Sequence, residues 1–218
     1  MKILKLSIIL TLLINISAYS QKYYKVELNF TDGHVKSGYA IMPKFKAKQV
    51  FFKELEIGKT SSIKSDDLSK ISFSIKGKTH IFERGHTEMI FIKNSGKLIT
   101  NVSKKKRWLY LLIGDPKLNF YVEGTKYKID EFGEITIINK VSGEIAPIGY
   151  YFKKPSKEHF TYITSSVTGV FLNKTIENMF RNAASTYLND NKELSIRIKN
   201  KEFKSNQVFD VYNAYISN

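Results

Sequence analysis

The chain has 218 residues, 42% hydrophobic and 13% aromatic, a content that excludes an intrinsically disordered chain. It has no cysteine, which excludes disulfides, thiolate nucleophiles and cysteine-ligated metals. Its 35 Lys and Arg against 20 Asp and Glu give a formal charge of +15, which fits either lysines that serve solubility alone or a surface that attracts polyanions without selecting among nucleic acid, lipopolysaccharide, teichoic acid and anionic phospholipid.

Met1 to Ser20 reads as a secretory signal peptide. Lys2 and Lys5 form its positive end, Leu6 to Ile16 its apolar centre, and Ala18 and Ser20 the small residues required for cleavage before Gln21. The apolar run is too short to span a bilayer, which takes about 20 residues. Cleavage leaves residues 21–218 and, with the two leader lysines removed, a charge of +13. The expected location is the periplasm or the exterior, with no integral membrane insertion after cleavage.

From residue 21 to 165 the pattern predicts strands. Tyr24, Val26, Leu28 and Phe30 alternate with Lys25, Glu27 and Asn29, Thr31-Asp32-Gly33-His34 makes a turn, and Val35 to Met42 returns. After a basic loop containing Pro43 come Val50-Phe51-Phe52, then Ile63 to Ile75, a turn at Lys76-Gly77-Lys78, and His80 to Glu83. Further strands are expected at Glu88–Ile92, Trp108–Ile113, Leu118–Val122, Tyr127–Ile129, Glu134–Ile138 and Ile148–Phe152. Turn signals at Asn94-Ser95-Gly96, Gly114-Asp115-Pro116, Glu123-Gly124-Thr125, Phe132-Gly133 and Ser142-Gly143 separate them. The spacing predicts an antiparallel meander forming a barrel or a sandwich. The strands are mostly short for a membrane barrel, and the chain does not end on a membrane strand.

Over residues 166–218 the period changes. Ile176, Phe180, Ala183, Ala184 and Tyr187 predict a helix; Val208, Val211, Tyr212 and Tyr215 predict another, capped by Ser205 or Asn206. Leu194, Ile196 and Ile198 between them fit a helix or a strand. Helices this short are expected to pack on an edge or open end of the β-region. The fold class expected is therefore mainly β, of α+β type, with a C-terminal helical appendage.

The leader, the basic β-rich middle, and the ending Tyr187-Leu188-Asn189-Asp190 through Leu194, Ile198 and Lys201-Glu202-Phe203-Lys204 to Tyr212-Asn213 resemble uncharacterised exported proteins of Bacteroidota. Leu188 departs from that pattern, where Phe is expected. The resemblance implies a bacterial envelope location and a helical C-terminus, and brings no activity with it.

Two clusters bear on chemistry. Lys104-Lys105-Lys106-Arg107, followed by Trp108 and Tyr110, combines four cations with aromatic faces that could stack on a ligand; the alternative is a charged loop entering a strand with Trp108 in the core. His80, Glu83 and His86, with Glu88, would converge into a metal or acid–base site if Arg84-Gly85 were a hairpin turn. His34 and His159 stand alone. Asp66-Asp67 and Asn189-Asp190-Asn191 with Glu193 are oxygen-rich but lack a calcium-loop pattern, which favours turn and cap roles. No nucleophile elbow, phosphate loop or cofactor motif occurs in the sequence, so no cofactor is expected. The function expected is a non-enzymatic binding or structural module for a protein partner or an anionic envelope polymer or lipid, rather than for a specific nucleic acid. The alternative is a metal-dependent hydrolase centred on His80, Glu83 and His86.

Overall fold

The computed structural model describes residues 22–93, 96–141, 144–166 and 173–217. The leader expected over Met1–Ser20 and the turn residues Asn94, Ser95, Ser142 and Gly143 lie outside the described residues.

Alternation produces the first hairpin as expected. β1 (Tyr24–Phe30) buries Val26 and Leu28 and pairs antiparallel with β2 (Val35–Ala40). β3 (Gln49–Lys53) and β4 (Ser61–Lys64) extend one side, and β5 (Leu68–Ile75) and β6 (Lys78–Gly85) the other. Next in the chain are β7 (Thr87–Ile92), β8 (Leu98–Val102), β9 (Arg107–Ile113) and β10 (Asn119–Val122). Two small ladders follow, β11 (Lys126–Ile129) with β12 (Ile135–Ile138) and β13 (Lys140–Val141) with β14 (Glu144–Ile145), and β15 (Gly149–Lys153) and β16 (Phe160–Ser165) complete the strands.

Twelve of these strands form one sheet in the order β4-β3-β2-β1-β5-β6-β9-β10-β15-β16-β7-β8. Its ladders are antiparallel except that β16 runs parallel to β7, through Phe160, Thr161 and Tyr162 opposite Thr87, Glu88 and Met89. Only His86 separates β6 from β7 in the chain, yet four strands separate them in the sheet. The sheet must therefore curl until its far end returns to the chain at His86. Gly85 sits at that bend, where an added Cβ would meet the ring of Phe160 at 2.7 Å. The sheet does not close into a barrel: β4 and β8 stand at its two ends.

The curl gives the sheet two packed faces. The larger core holds Val26, Leu28, Phe52, Phe73, Phe82, Trp108, Tyr110, Phe120 and Phe152; the smaller holds Leu109, Tyr121, Tyr151 and Phe160. β9 contributes to both, which is why Trp108-Leu109-Tyr110 is apolar without alternation.

Three helices close the larger core. α1 (Asn173–Tyr187) lies against β16 and β7 and buries Phe180, Ala183 and Ala184. α2 (Lys192–Lys199) is a helix and not a strand. Leu194 and Ile198, four residues apart, are buried, Ile196 is exposed, and the Asn191 side chain caps the first turn by accepting from the Leu194 amide at 3.1 Å. α3 (Val208–Ile216) sets Tyr212 against Phe120 and Phe152, with ring centroids 5.4 and 6.0 Å away. A short 3-10 turn, Ser205–Gln207, leads into it. The helices thus cover a face of the sheet rather than capping an edge, because Phe120, Phe152 and Ile163 leave that face apolar.

Candidate functional site

The Lys104–Arg107 run enters β9, and the strand's first buried residues settle the role of its aromatics. Trp108 is fully buried and its Nε1–H donates to Ser65 Oγ at 3.0 Å, while Tyr110 is buried and its hydroxyl meets His80 Nδ1 at 2.9 Å. Burial, with the charge of Glu134 behind it, pushes the Tyr110 phenol up to about 12. Neither ring offers a face to a ligand. Trp108 takes the core role, and the stacking role expected for the pair has no support in the structure.

The four cations remain at the surface, and the fold brings others to them. The loop Pro43-Lys44-Phe45-Lys46-Ala47-Lys48 alternates lysine with small or aromatic residues, and backbone hydrogen bonds pin it on three sides. The Phe45 amide donates to Gly124 O at 2.8 Å, the Trp108 amide to Phe45 O at 3.0 Å, and the Ser65 amide to Lys48 O at 2.9 Å. Lys46 and Lys48 thereby border the same cleft as Lys104, Lys105 and Lys106, a hollow of about 570 Å³ to which β4 adds Lys64 and β6 adds Arg84. Arg107 completes the rim, its guanidinium 5.6 Å from the centre of the Phe45 ring.

Arg84 anchors the floor. Its side chain is only 5% exposed, lies 5.5 Å above the Trp108 ring, and donates through Nη1 to Ala47 O at 3.3 Å. Nε and Nη2 donate to one carboxylate oxygen of Asp66 at 3.1 and 2.7 Å. Asp66 is the one carboxylate among the residues lining the cleft, against eight Lys and Arg. The Arg84 hydrogen bonds hold its carboxyl below the usual carboxylate range, with smaller contributions from the charges of Lys106 and His86. The cleft therefore presents a concentrated positive field in which ligand anions compete only with Asp66.

The histidine cluster does not assemble. β6 continues through Gly85 instead of turning at Arg84-Gly85, so strand parity puts His80 and Glu83 on opposite faces. His80 lies in the larger core with Nε2–H donating to the Gly133 carbonyl at 2.8 Å. Glu83 faces the smaller core, accepting from the Tyr121 hydroxyl at 2.7 Å and from Lys153 at 3.1 Å. His86 Nδ1–H donates to Ser103 O at 2.7 Å, and Glu88 accepts from the Thr161 hydroxyl at 2.5 Å. Among the described residues, no group of three or more His, Asp or Glu could hold a metal ion. Asp190, in the second oxygen-rich segment, binds Lys154 and the Tyr215 hydroxyl, each at 2.7 Å. No helix among the described residues is long and apolar enough to cross a membrane.

Lys104 to Arg107 were visible as a charge run. Lys46 and Lys48 were visible as part of a basic loop, but their meeting with Lys64, Arg84 and the Lys104–Arg107 run was not. Comparison with protein-family models, curated proteins and solved structures finds no match to the chain.

Proposed function

We propose that the chain is an exported binding protein of a bacterial envelope, and that its basic cleft takes an anionic polymer. The observation that carries this reading is the convergence of eight cations from four separate parts of the chain on one hollow with a single carboxylate. Lysines spread for solubility alone have no reason to converge. The leader-like Met1–Ser20 supports the location and makes envelope polyanions the relevant partners.

The test is titration of the purified protein with inorganic polyphosphate and with lipopolysaccharide over a range of salt. Displacement of counterions predicts a log-log slope of about −0.7 for each anionic group engaged. Replacing Lys104, Lys105 and Lys106 by Gln should flatten that slope by about 2 units. Salt-independent binding, or a triple variant that binds as wild type does, overturns the reading. The mature protein recovered from the producing cell should begin at Gln21, and a retained Met1 removes the envelope from the proposal.

A further inference from the structure

Across the 43–48 loop from the basic cleft lies a second hollow of about 540 Å³, lined by Lys44, Phe45, Lys46, Glu123, Thr125 and Asn139. Its polar groups are held in place. The Glu123 carboxyl accepts from the Tyr151 hydroxyl at 2.9 Å, from Asn139 Nδ2 at 3.3 Å and from the Gly149 amide. Gly149 leaves the room this requires, since a Cβ there would stand 2.9 Å from Glu123 Cδ.

Asn139 is 6% exposed, and its Nδ2 also donates to the Pro147 carbonyl at 2.7 Å. A carbonyl can only accept, so the amide cannot be turned round. Asn139 Oδ1 is consequently a buried acceptor with no hydrogen-bond partner. It is one of four such atoms among the described residues, with His159 Nδ1, Thr164 Oγ1 and the Tyr212 hydroxyl, and it belongs to a residue that lines the hollow, where a ligand donor would give it a partner.

The walls narrow the ligand's chemistry. Lys44 and Lys46 line the hollow along with Glu123, so a cationic ligand would meet two like charges against one carboxyl. An apolar group would leave Oδ1 unsatisfied. A sugar ring suits both demands, with hydroxyls to donate to Oδ1 and Glu123 and a C–H face for the Phe45 ring. Lys46 lines both hollows, and Arg107 on the rim of the cleft lies 5.6 Å from the centre of the Phe45 ring in the wall of the second. One ligand can therefore span them.

We propose that this hollow is the sugar subsite of a site for an anionic glycan, whose charged groups occupy the neighbouring basic cleft. The proposal rests on the reading of that cleft as an anion site. Burial pushes the Glu123 carboxyl up against the opposing pull of Tyr151, Gly149, Lys46 and Arg107.

The experiment compares a sulfated heparin hexasaccharide with inorganic polyphosphate of equal charge at one salt concentration, using wild type, Phe45→Leu and Asn139→Leu. Affinity for the hexasaccharide should fall about fivefold to tenfold in each variant, and affinity for polyphosphate less than twofold. Saturation-transfer NMR on the wild-type protein should show transfer to the sugar ring protons, a readout that stands even if Asn139→Leu fails to fold. Equal losses for both probes, no loss for either, or no transfer to the ring protons overturns the sugar subsite. If neither probe binds the wild type, the basic-cleft reading falls with it. If both bind and the variants do not discriminate, only the sugar subsite falls.

Discussion

Replacing Asp66 by Asn separates the structural and binding roles of the cleft, because it should move stability and affinity in opposite directions. Arg84 is 5% exposed, but the Asp66 side chain is 74% exposed, so solvent screens the pair. The exposed partner sets the scale, at about 0.5–1 kcal/mol rather than the several kcal/mol of a fully buried pair. Arg84 keeps its bond to Ala47 O and its place over Trp108, and the Asn oxygen can still accept from it. The melting temperature at pH 7 should fall by about 1–4 °C. Because Arg84 holds the Asp66 carboxyl low, the pair stabilises the fold above the ordinary carboxylate range, and that contribution is lost as pH falls through the lowered value. The difference between variant and wild type should accordingly vanish in acid. Affinity should move the other way. With Asp66 largely in solvent the water-like limit applies, in which two unit charges in close approach interact by about 1 kcal/mol, so removing one negative charge favours a bound anion by about fivefold. Fluorescence polarisation with labelled polyphosphate measures this at fixed salt. A variant that binds no better than wild type, while Arg84 stays folded in place, would refute the assignment of the anion to this cleft.

Other consequences can be checked with the same protein. Trp108→Phe leaves the buried Ser65 hydroxyl unpaired and a void beside it, and should cost about 2–4 kcal/mol in urea unfolding while leaving the salt slope of polyphosphate binding unchanged; a loss under about 0.5 kcal/mol would contradict the core role of Trp108. Glu123→Gln should raise the melting temperature at pH 7 to 8. A raised carboxyl value means that wild type loses stability as pH rises from the ordinary value through the raised one, and the Gln variant has no such loss. The advantage should close as pH drops below about 4.3, and an advantage independent of pH would show that burial of the charge is not its cause.

Much of the strand content was legible because side-chain alternation is a local property. Val26 and Leu28 against Lys25 and Glu27 specify a half-buried strand wherever it lies in the sheet. Leu194, Ile196 and Ile198 were ambiguous, since three apolar residues at spacing two satisfy both periods. The Asn191 cap and burial of only two of the three resolved them as a helix. The histidine cluster failed for a related reason. Its convergence required a turn at Arg84-Gly85, whereas the pairing of Arg84 with Trp108 and Gly85 with Arg107 carries the strand through that point. At the candidate site, Lys104 to Arg107 were visible, but the Arg84–Asp66 contact spans 18 residues and Arg84–Ala47 spans 37, distances at which sequence spacing carries no information.

By itself, then, the sequence determined a cysteine-free, strongly basic, mainly β chain with helices at its end, because composition and short periodicities depend only on neighbouring residues. The tertiary structure decided where the charges meet. The continuation of β6 through Gly85 and the parallel pairing of β16 with β7 bend the sheet back on itself, and backbone hydrogen bonds fix the 43–48 loop over the start of β9. Those long-range pairings turn Lys104–Arg107 from a solvated run into one wall of a cleft, because a field of that strength needs charges from distant parts of the chain held at short range.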